Sequence, residues 1–320
     1  MRLLPTTVIG SYPRPKWLWE AIRKSQRGRL SKKSLHALYD KACLETIREH
    51  EQAGVDILTD GEMRRTEMTE HFAERIGGFR FYGNVRVWGN NFYRKPSIVK
   101  KLRYRGPMLL EEFEFIKTHT DRAIKVPITG PYTIVDWSFN EYYRHKADAV
   151  MELASIERKE LQTLVKAGAR FIQIDEPALS THPEEIDIAI EAINKMVKGI
   201  ECKFGIHICY GDYSKIYPAM LDFKVDQFAL EFANRKFDIG FLKEHAFTKE
   251  LGFGCIDVHN KRVETKEEVI AGIRKGLEML PPEKIYINPD CGLKLLPRDV
   301  AYQKLVVMCE AARELRREFS

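Results

Sequence analysis

Four residues of types that can bind a metal ion each lie at the end of a short apolar run typical of a β-strand. They are His207 and Cys209 in G-I-H-I-C-Y-G, Glu231 in A-L-E-F-A, and Cys291 in N-P-D-C-G-L-K. If those runs are strands of one α/β barrel, all four side chains lie at the same end of it. One imidazole, two thiolates and one carboxylate form a tetrahedral zinc site that a substrate can enter.

Each of these residues also has an interpretation without a metal. His207 and Cys209 alternate along a strand, so both could simply be buried on one face. Cys291 favours a metal site, because N-P-D-C-G predicts a turn, where an apolar buried thiol has little use. Glu231 favours it further, since a carboxylate directly after an apolar strand is costly to bury without a cation. Together, the four residues favour a metal site.

The ligand types also indicate a reaction. Two thiolates donate charge to zinc, so the metal activates water less well and leaves a bound thiolate more nucleophilic. A free thiol has a pKa of about 8.5 and is only slightly ionised at neutral pH, whereas coordination makes it a full thiolate. If that thiolate displaces Glu231, one anion replaces another. The ligand set therefore predicts thiol alkylation in preference to hydrolysis.

Apolar, β-branched runs alternate with amphipathic helical patterns along the whole chain. The predicted strands are 7–10, 55–59, 125–129, 170–175, 203–208, 225–230, 251–257 and 284–288, and the predicted helices include 32–53, 146–168, 184–199, 266–279 and 299–317. This alternation predicts an α/β fold of the (β/α)8 TIM-barrel type. No glycine-rich dinucleotide or phosphate loop follows a predicted strand, which weighs against the open-sheet cofactor folds. Residues 1–320 are expected to form a single domain.

The stretch after the second predicted strand is too long for an ordinary connection. Residues 61–120 are expected to form an insertion with a helix over 66–76, a hairpin and a further helix. The hairpin, residues 79–106, has eight basic residues and no acidic one, interleaved with aromatic residues that include Trp88 and Phe92. This composition suits a nucleic-acid surface or a patch for an acidic ligand. A hairpin with solvated charges is favoured, so no nucleic-acid partner is predicted.

Composition narrows the class of protein. The chain has 320 residues, 44% of them apolar, and a net charge of +6. No run of eighteen apolar residues suggests a membrane span, and the N-terminus reaches a proline-rich turn too early for a secretory signal. The six cysteines lack the spacing of a disulfide framework. These features predict a cytoplasmic protein with reduced thiols.

Polar side chains follow the predicted strands at the ends where barrel enzymes build their active sites. They are Ser11, Asp60, Glu62, Thr129, Asp175, Glu176, His207, Cys209, Glu231, Asp257, His259, Asp290 and Cys291. Some have an alternative role, because Asp60, Glu62, Asp175 and Glu176 could cap helices and His259 could bind a loop carbonyl. The density of such residues nevertheless predicts an enzyme.

The motifs make the chain similar to the C-terminal catalytic barrel of the cobalamin-independent methionine synthase family. The similarity runs from I-G-S-Y-P-R (9–14) to N-P-D-C-G-L-K (288–294), through T-G-P-Y (129–132), Q-I-D-E-P-A-L (173–179) and I-D-V-H-N (256–260). The resemblance implies methyl transfer to the thiol of L-homocysteine, which forms L-methionine. The zinc ligands would be His207, Cys209, Glu231 and Cys291. The homocysteine carboxylate would be held by Ile9, Gly10 and Ser11, and its amino group by Glu62 and Asp175.

On the side of the methyl donor, the resemblance implies two further roles. His259 matches the family's proton donor to the demethylated folate, and Trp137 matches the tryptophan on which the pterin stacks. The full-length enzymes of the family carry an additional N-terminal half, and the resemblance implies that this chain is the short form without it, as found in archaea and some bacteria. Thr181 stands where the family's folate-binding pattern has a carboxylate, and Phe92-Tyr93-Arg94 also departs from that pattern.

These departures predict a different methyl donor. We expect a methylated corrinoid, which a corrinoid protein could present, or a methylated pterin, and we expect the basic hairpin 79–106 to help dock it. Two alternatives stay open from the sequence. One is a related zinc alkyltransferase that acts on another thiol, such as one like coenzyme M. The other is a non-enzymatic barrel with a structural zinc.

Overall fold

The structure is a computed structural model that describes residues 2–88, 91–234 and 245–319. Of the side chains in the hairpin, those of residues 87, 88, 91 and 92 lie outside the described part. The aromatic side chains of Trp88 and Phe92, which the sequence analysis places in the basic hairpin, are therefore outside the described part.

Strands and helices alternate over most of the described chain. The strands are β1 Ile57–Leu58, β2 Gly77–Trp88, β3 Asn91–Arg103, β4 Ala123–Ile124, β5 Val126–Thr129, β6 Phe139–Asn140, β7 Phe171–Asp175, β8 Lys203–His207, β9 Gln227–Glu231, β10 Glu250–Gly254 and β11 Ile285–Asn288. The α-helices are α1 Lys16–Gln26, α2 Lys32–Ala53, α3 Met68–Ala73, α4 Leu110–Lys117, α5 Pro131–Asp136, α6 Lys146–Ala167, α7 Ile186–Val197, α8 Lys266–Leu277 and α9 Arg298–Glu318.

The main sheet is parallel and carries the apolar runs that the sequence predicts as strands. Its six strands lie in the order β11–β10–β9–β8–β7–β5, and β7, β9 and β11 are buried along their whole length. Strands buried on both faces read as continuous apolar runs, because helices cover the sheet. The predicted α/β fold with a parallel sheet and helices is confirmed.

The first predicted strand, 7–10, is shorter than expected. Thr6 pairs with Ile287 of β11, and Thr7 pairs with Ile57 of β1, both in parallel, while residues 8–10 belong to no strand. The reason is that side chains bind the backbone there. The carbonyl of Gly10 accepts from the hydroxyl of Thr59 over 2.9 Å.

The long helices begin and end at residues suited to those positions. The hydroxyl of Ser31 accepts from the amide of Ser34 at the start of α2, and Thr265 and Glu268 form a capping box at the start of α8. Helix α2 ends at Gly54, which has φ of 92°, a left-handed conformation that glycine adopts without strain. Such caps fix where each helix leaves the sheet.

The insertion after β1 contains the predicted elements. Helix α3, the antiparallel pair β2–β3 and helix α4 lie between β1 and β4, and β6 adds to the pair alongside β3. The predicted helix 66–76 is shorter, because α3 starts at Met68, where the side chain of Glu67 accepts from two backbone amides. In the part of the chain that the structure describes, no helix is long and apolar enough to cross a membrane.

Candidate metal centre and substrate site

Three of the four predicted zinc ligands lie together where the parallel strands end. The ligand atoms of His207, Cys209 and Cys291 lie within 4.8 Å of one another. His207 is the last residue of β8, and Cys209 follows it by two residues. Cys291 lies in the turn after β11. Strands β8 and β11, which have β9 and β10 between them in the sheet, thus deliver one imidazole and two sulfurs to one point.

The three groups perturb one another's protonation. The hydrogen bond between the two sulfurs, together with burial, raises the pKa of Cys209 well above its usual value. The same bond and the nearby His207 lower the pKa of Cys291, although burial acts against them. Burial alone would lower the pKa of His207, but Cys291, Asp175 and Glu231 outweigh it and raise that pKa to about 9. Cys291 is therefore the most readily ionised of the described thiols near this site.

Glu231, the fourth predicted ligand, lies beside these three residues but outside their group. It ends β9 and is fully buried. Its Oε2 accepts from the backbone amide of Tyr210 over 3.1 Å, so the carboxylate is held next to the residue that follows Cys209. The charge of Glu231 is also among the causes that raise the pKa of Cys209.

Two buried groups hold the loops that carry these ligands. The hydroxyl of Tyr213 donates to the carbonyl of Ile208 over 2.9 Å and accepts from the amide of Glu231 over 3.0 Å. The carboxylate of Asp290 accepts from three consecutive backbone amides just after β9, at 2.6 to 3.0 Å. Asp290 therefore ties the chain after Glu231 to the residue that precedes Cys291.

The N-terminal segment approaches the same end of the sheet. A Cβ at Gly10 would overlap the carboxylate of Glu62, and a Cβ at Gly292 would overlap the hydroxyl of Ser11. The carbonyl of Ser11 accepts from the amide of Leu293 over 2.8 Å. Glycine is required at both positions because each lies against another residue's side chain. Ser11 thus lies against the loop that carries Cys291, and the preceding Gly10 lies against Glu62.

Asp175 lies at the end of β7, opposite His207 in the register of β7 with β8. Burial raises the pKa of this carboxyl to about 7, with Glu62 adding to the effect and His207 opposing it. The amide of Gln173 donates to Asp175 over 2.7 Å and to the carbonyl of Ile9 over 2.9 Å. Ile9 and Asp175 are therefore held by the same side chain.

The neighbouring carboxylates have structural roles. Glu176 accepts from the amides of Tyr132 and Thr133 at 3.0 and 2.7 Å and so caps α5, and burial raises its pKa to about 7. Asp60 accepts from the amide of Glu62 over 2.9 Å. That contact holds the turn in which Glu62 has a positive φ of 55°. The helix-capping interpretation suits Glu176, whereas Asp60 stabilises a turn and caps no helix, because α3 starts only at Met68.

The two residues predicted on the donor side lie at the rim. His259 is exposed, and its ring meets that of Tyr210 edge to face, with centroids 5.2 Å apart. Trp137 is half-buried at the end of α5, and its carbonyl accepts from the hydroxyl of Tyr93 over 2.8 Å. The hairpin is thereby joined to the backbone of Trp137.

Several residues that hold the site in place were not predicted from the sequence. Gln173 and Lys125 lie in predicted strands and Tyr213 in the loop after one, where a polar side chain is easily taken for an ordinary surface or core residue. Only Gln173 carried a usable signal, since a glutamine in the middle of the apolar run F-I-Q-I-D points to an interior partner.

The fold and the site define an α/β enzyme with a His-Cys-Cys cluster at the carboxyl ends of its parallel strands. Residues 4–314 match the family model described as "Cobalamin-independent synthase, Catalytic domain". The chain therefore belongs to that family, and it is an enzyme of the methyltransferase class.

Individual relatives agree with the family match. A methionine synthase of Saccharolobus solfataricus is 56% identical, with 99% of this chain and 96% of that protein covered. One of Pyrococcus abyssi is 54% identical, with 99% and 94% covered. The crystal structure of a B12-independent methionine synthase from Shewanella sp. W3-18-1, in complex with selenomethionine, has 27% identity and a TM-score of 0.90, with 99% of both chains covered. The expected resemblance to a short form of the family is confirmed.

Proposed function

We propose that the protein transfers a methyl group to the thiol of L-homocysteine and releases L-methionine. The observation that carries this proposal is the position of the His207–Cys209–Cys291 cluster beside Asp175, a buried carboxylate suited to an α-ammonium group. The methionine synthases among the relatives support the reaction. The selenomethionine complex of the Shewanella protein supports the product class.

We infer that zinc is the resident metal, because the donor set fits it. The Nδ1 of His207 lies 3.0 Å from the carbonyl of Ala229, which leaves Nε2 as the metal-binding atom. That Nε2 is buried, and it has no hydrogen-bond partner among the residues that the structure describes. Two sulfurs and one imidazole nitrogen are ligands that zinc prefers. Glu231 is the proposed fourth ligand, which the substrate thiol would replace.

The protein's own residues would then bind and orient the amino acid. Asp175 and Glu62 would accept from the α-ammonium group, and the backbone at Ile9–Ser11, with the Ser11 hydroxyl, would hold the α-carboxylate. When bound, zinc supplies the positive charge that keeps the substrate thiol ionised at neutral pH. In the transfer, a carbon–sulfur bond forms as the bond between the methyl group and its donor breaks. His259 would give a proton to the donor if that donor leaves as a nitrogen base.

The methyl donor is proposed to be a methylated corrinoid or a methylated pterin that binds near Trp137 and the hairpin 79–106. The link from Tyr93 to Trp137 supports this location. So does the ring of Phe139 in β6, which lies 4.3 Å from the ammonium of Lys95. A corrinoid protein could present the donor at this rim.

We also infer that the parallel strands close into a (β/α)8 barrel formed by one domain, 1–320. Two series of backbone hydrogen bonds support closure. The amide of Thr7 donates to the carbonyl of Ile287 over 2.8 Å, and the amide of Ile57 donates to the carbonyl of Thr6 over 3.0 Å. On the other side, β1 pairs with β4, which leads directly into β5 of the main sheet.

Zinc-edge X-ray absorption of the zinc-loaded protein tests the proposed thiol binding. Addition of homocysteine should increase the number of sulfur neighbours of zinc. 2-Aminobutanoate, which lacks the thiol but keeps the amino acid, should not. Unchanged spectra with saturating homocysteine would overturn the proposal and favour a closed structural zinc.

A further inference from the structure

A lysine is completely buried inside the sheet, where the proposed reaction gives it no role. Lys125 stands between β4 and β5 and is 1% exposed. Its ammonium lies 5.6 Å from the centroid of the Phe171 ring and donates to Oε1 of Gln173 over 2.6 Å. A buried ammonium is costly unless it is well paired, so this lysine is expected to serve a purpose beyond packing.

Gln173 extends this contact to the proposed homocysteine site. Its Nε2 donates to Oδ1 of Asp175 over 2.7 Å and to the carbonyl of Ile9 over 2.9 Å. Asp175 is the proposed partner of the α-ammonium group, and Ile9 belongs to the segment proposed to bind the α-carboxylate. One amide thus connects the two halves of the amino-acid site.

The chemistry of the partners fixes which way this amide faces. A lysine ammonium only donates, whereas a carboxylate and a carbonyl only accept. The contacts of Lys125, Asp175 and Ile9 are therefore all satisfied in one of the two amide orientations and not in the other. Lys125 selects the orientation in which Gln173 donates to Asp175.

We propose that Lys125 and Gln173 are positioning residues that hold Asp175 and Ile9 in the arrangement that recognises the α-amino acid part of the substrate. Neither residue touches the reacting atoms, since both act through Asp175 and Ile9. The inference rests on the proposed function.

Equilibrium binding of two thiols to the zinc-loaded protein tests this role. L-Homocysteine carries the α-ammonium group, and 4-sulfanylbutanoate is the same molecule without it. In Lys125→Met and in Gln173→Leu, homocysteine affinity should fall by at least about tenfold, as for a lost hydrogen bond to a charged group. Affinity for 4-sulfanylbutanoate should fall clearly less, because that thiol keeps the carboxylate that the segment at Ile9 would bind but makes no use of Asp175.

The double variant tests whether the two residues act together. If Lys125 acts through Gln173, the combined variant should lose no more homocysteine affinity than Gln173→Leu alone. Lys203→Met is the matched control. The Lys203 ammonium lies 5.2 Å from the centroid of the same Phe171 ring but binds Glu250 and Tyr286. It should leave the preference for homocysteine intact.

The outcomes separate this inference from the proposed function. Equal loss of affinity for both thiols in the variants would reduce Lys125 and Gln173 to packing residues and overturn the inference. If the unmodified protein itself did not prefer homocysteine over 4-sulfanylbutanoate, the proposed function would fail instead. Thermal unfolding of each variant shows which ones are folded, and Gln173→Leu carries the test if Lys125→Met does not fold.

Discussion

The backbone amide of Tyr210 donates a hydrogen bond of 3.1 Å to Oε2 of Glu231. The bond joins the residue after Cys209 to the carboxylate that ends the next strand. It therefore holds the proposed replaceable ligand next to the loop that carries Cys209. A ligand held in this way can leave a metal without leaving its pocket, which suits exchange with a substrate thiol.

This arrangement predicts different losses of zinc in two variants. Cys291→Ser removes a sulfur of the cluster and should abolish stoichiometric zinc, because the four proposed donors are reduced to three, of which only Cys209 is a sulfur. Glu231→Gln keeps the cluster and should bind zinc about 10–100-fold more weakly. Competition with a chelator, with metal content measured by mass spectrometry, gives both values. Cys202→Ser, at a half-buried cysteine outside the cluster, should bind zinc normally. Full zinc in Cys291→Ser would show that the cluster is not the metal site.

The carboxylate of Asp175 should determine affinity for the amino acid. Asp175→Asn removes the charge opposite the α-ammonium group, and we expect KM for homocysteine to rise about 10–100-fold, as for a lost charge-assisted hydrogen bond. Steady-state kinetics with varied homocysteine measures this change.

Glu176→Gln provides the matched control for that variant. Glu176 is adjacent and equally buried, but its contacts are to the amides that begin α5. Its replacement should lower thermal stability and leave the KM for homocysteine unchanged. If Asp175→Asn behaved in the same way, the alternative of another thiol substrate without an amino group would be favoured.

A buried glutamate should make stability depend on pH. Glu157 is completely buried in α6, and neither of its carboxyl oxygens has a hydrogen-bond partner among the described residues. Burial, with Glu176 and Glu160 nearby, raises its pKa well above the usual value. The folded protein keeps the proton while the unfolded chain releases it. This contribution to stability is therefore present below about pH 4.5 and is lost as the pH rises.

Glu157→Gln should remove that loss. Between pH 5 and pH 8, the free energy of unfolding should fall more in the unmodified protein than in the variant, by up to about 1.4 kcal/mol per pH unit. Urea unfolding at several pH values measures this difference. The cost of burying the glutamine amide does not depend on pH, so it does not affect the comparison of the two slopes. Glu114→Gln, at an exposed position of α4, should follow the unmodified protein. Parallel pH curves for Glu157→Gln and the unmodified protein would contradict the prediction.

The positive charges of the hairpin should affect binding of the methyl donor and leave binding of homocysteine unaffected. Reversal of the exposed residues Arg80, Lys100 and Arg103 to glutamate should raise KM for the methyl donor at least severalfold and leave KM for homocysteine unchanged. The reason is that the hairpin is tied to Trp137, on the proposed donor side. Raised salt should weaken the effect, because exposed charges are screened.

A set of three reversals elsewhere serves as the control. The controls lie at or directly after the C-terminal ends of α7 and α8: Lys195, Lys198 and Lys275. Both helices run back from the end of the sheet that carries the cluster, so their C-terminal ends point away from it. Reversal of these lysines changes the net charge by the same amount. Equal donor KM values for the two sets would mean that the hairpin has no specific role in docking.

Much of the fold could be predicted because its strands are buried on both faces and read as apolar runs between amphipathic helices. The predicted helix 32–53 coincides with α2, whose ends are set by Ser31 and Gly54. The strand predicted at 7–10 pairs at Thr7 but is wrong over residues 8–10, where side-chain contacts such as Thr59 with Gly10 replace backbone pairing. No local pattern encodes such contacts.

The candidate site was predictable where residue types are unusual at their positions, as for Cys291 in a turn. The supporting contacts were not. Tyr213 binds the amide of Glu231 across 18 residues, and Gln173 binds the carbonyl of Ile9 across 164. Contacts of this range depend on how the strands are assembled, which a single sequence does not specify.

The central claim is that the zinc-loaded protein methylates the thiol of homocysteine. Methionine formation should therefore be measured with homocysteine and, in parallel, methylcobalamin, a methylated folate and a methylated methanopterin, with Cys291→Ser as the inactive control. The account predicts methionine from at least one of these donors and loss of that activity in Cys291→Ser by a factor on the order of 10² or more. No methionine from any donor, or equal activity in Cys291→Ser, would contradict it.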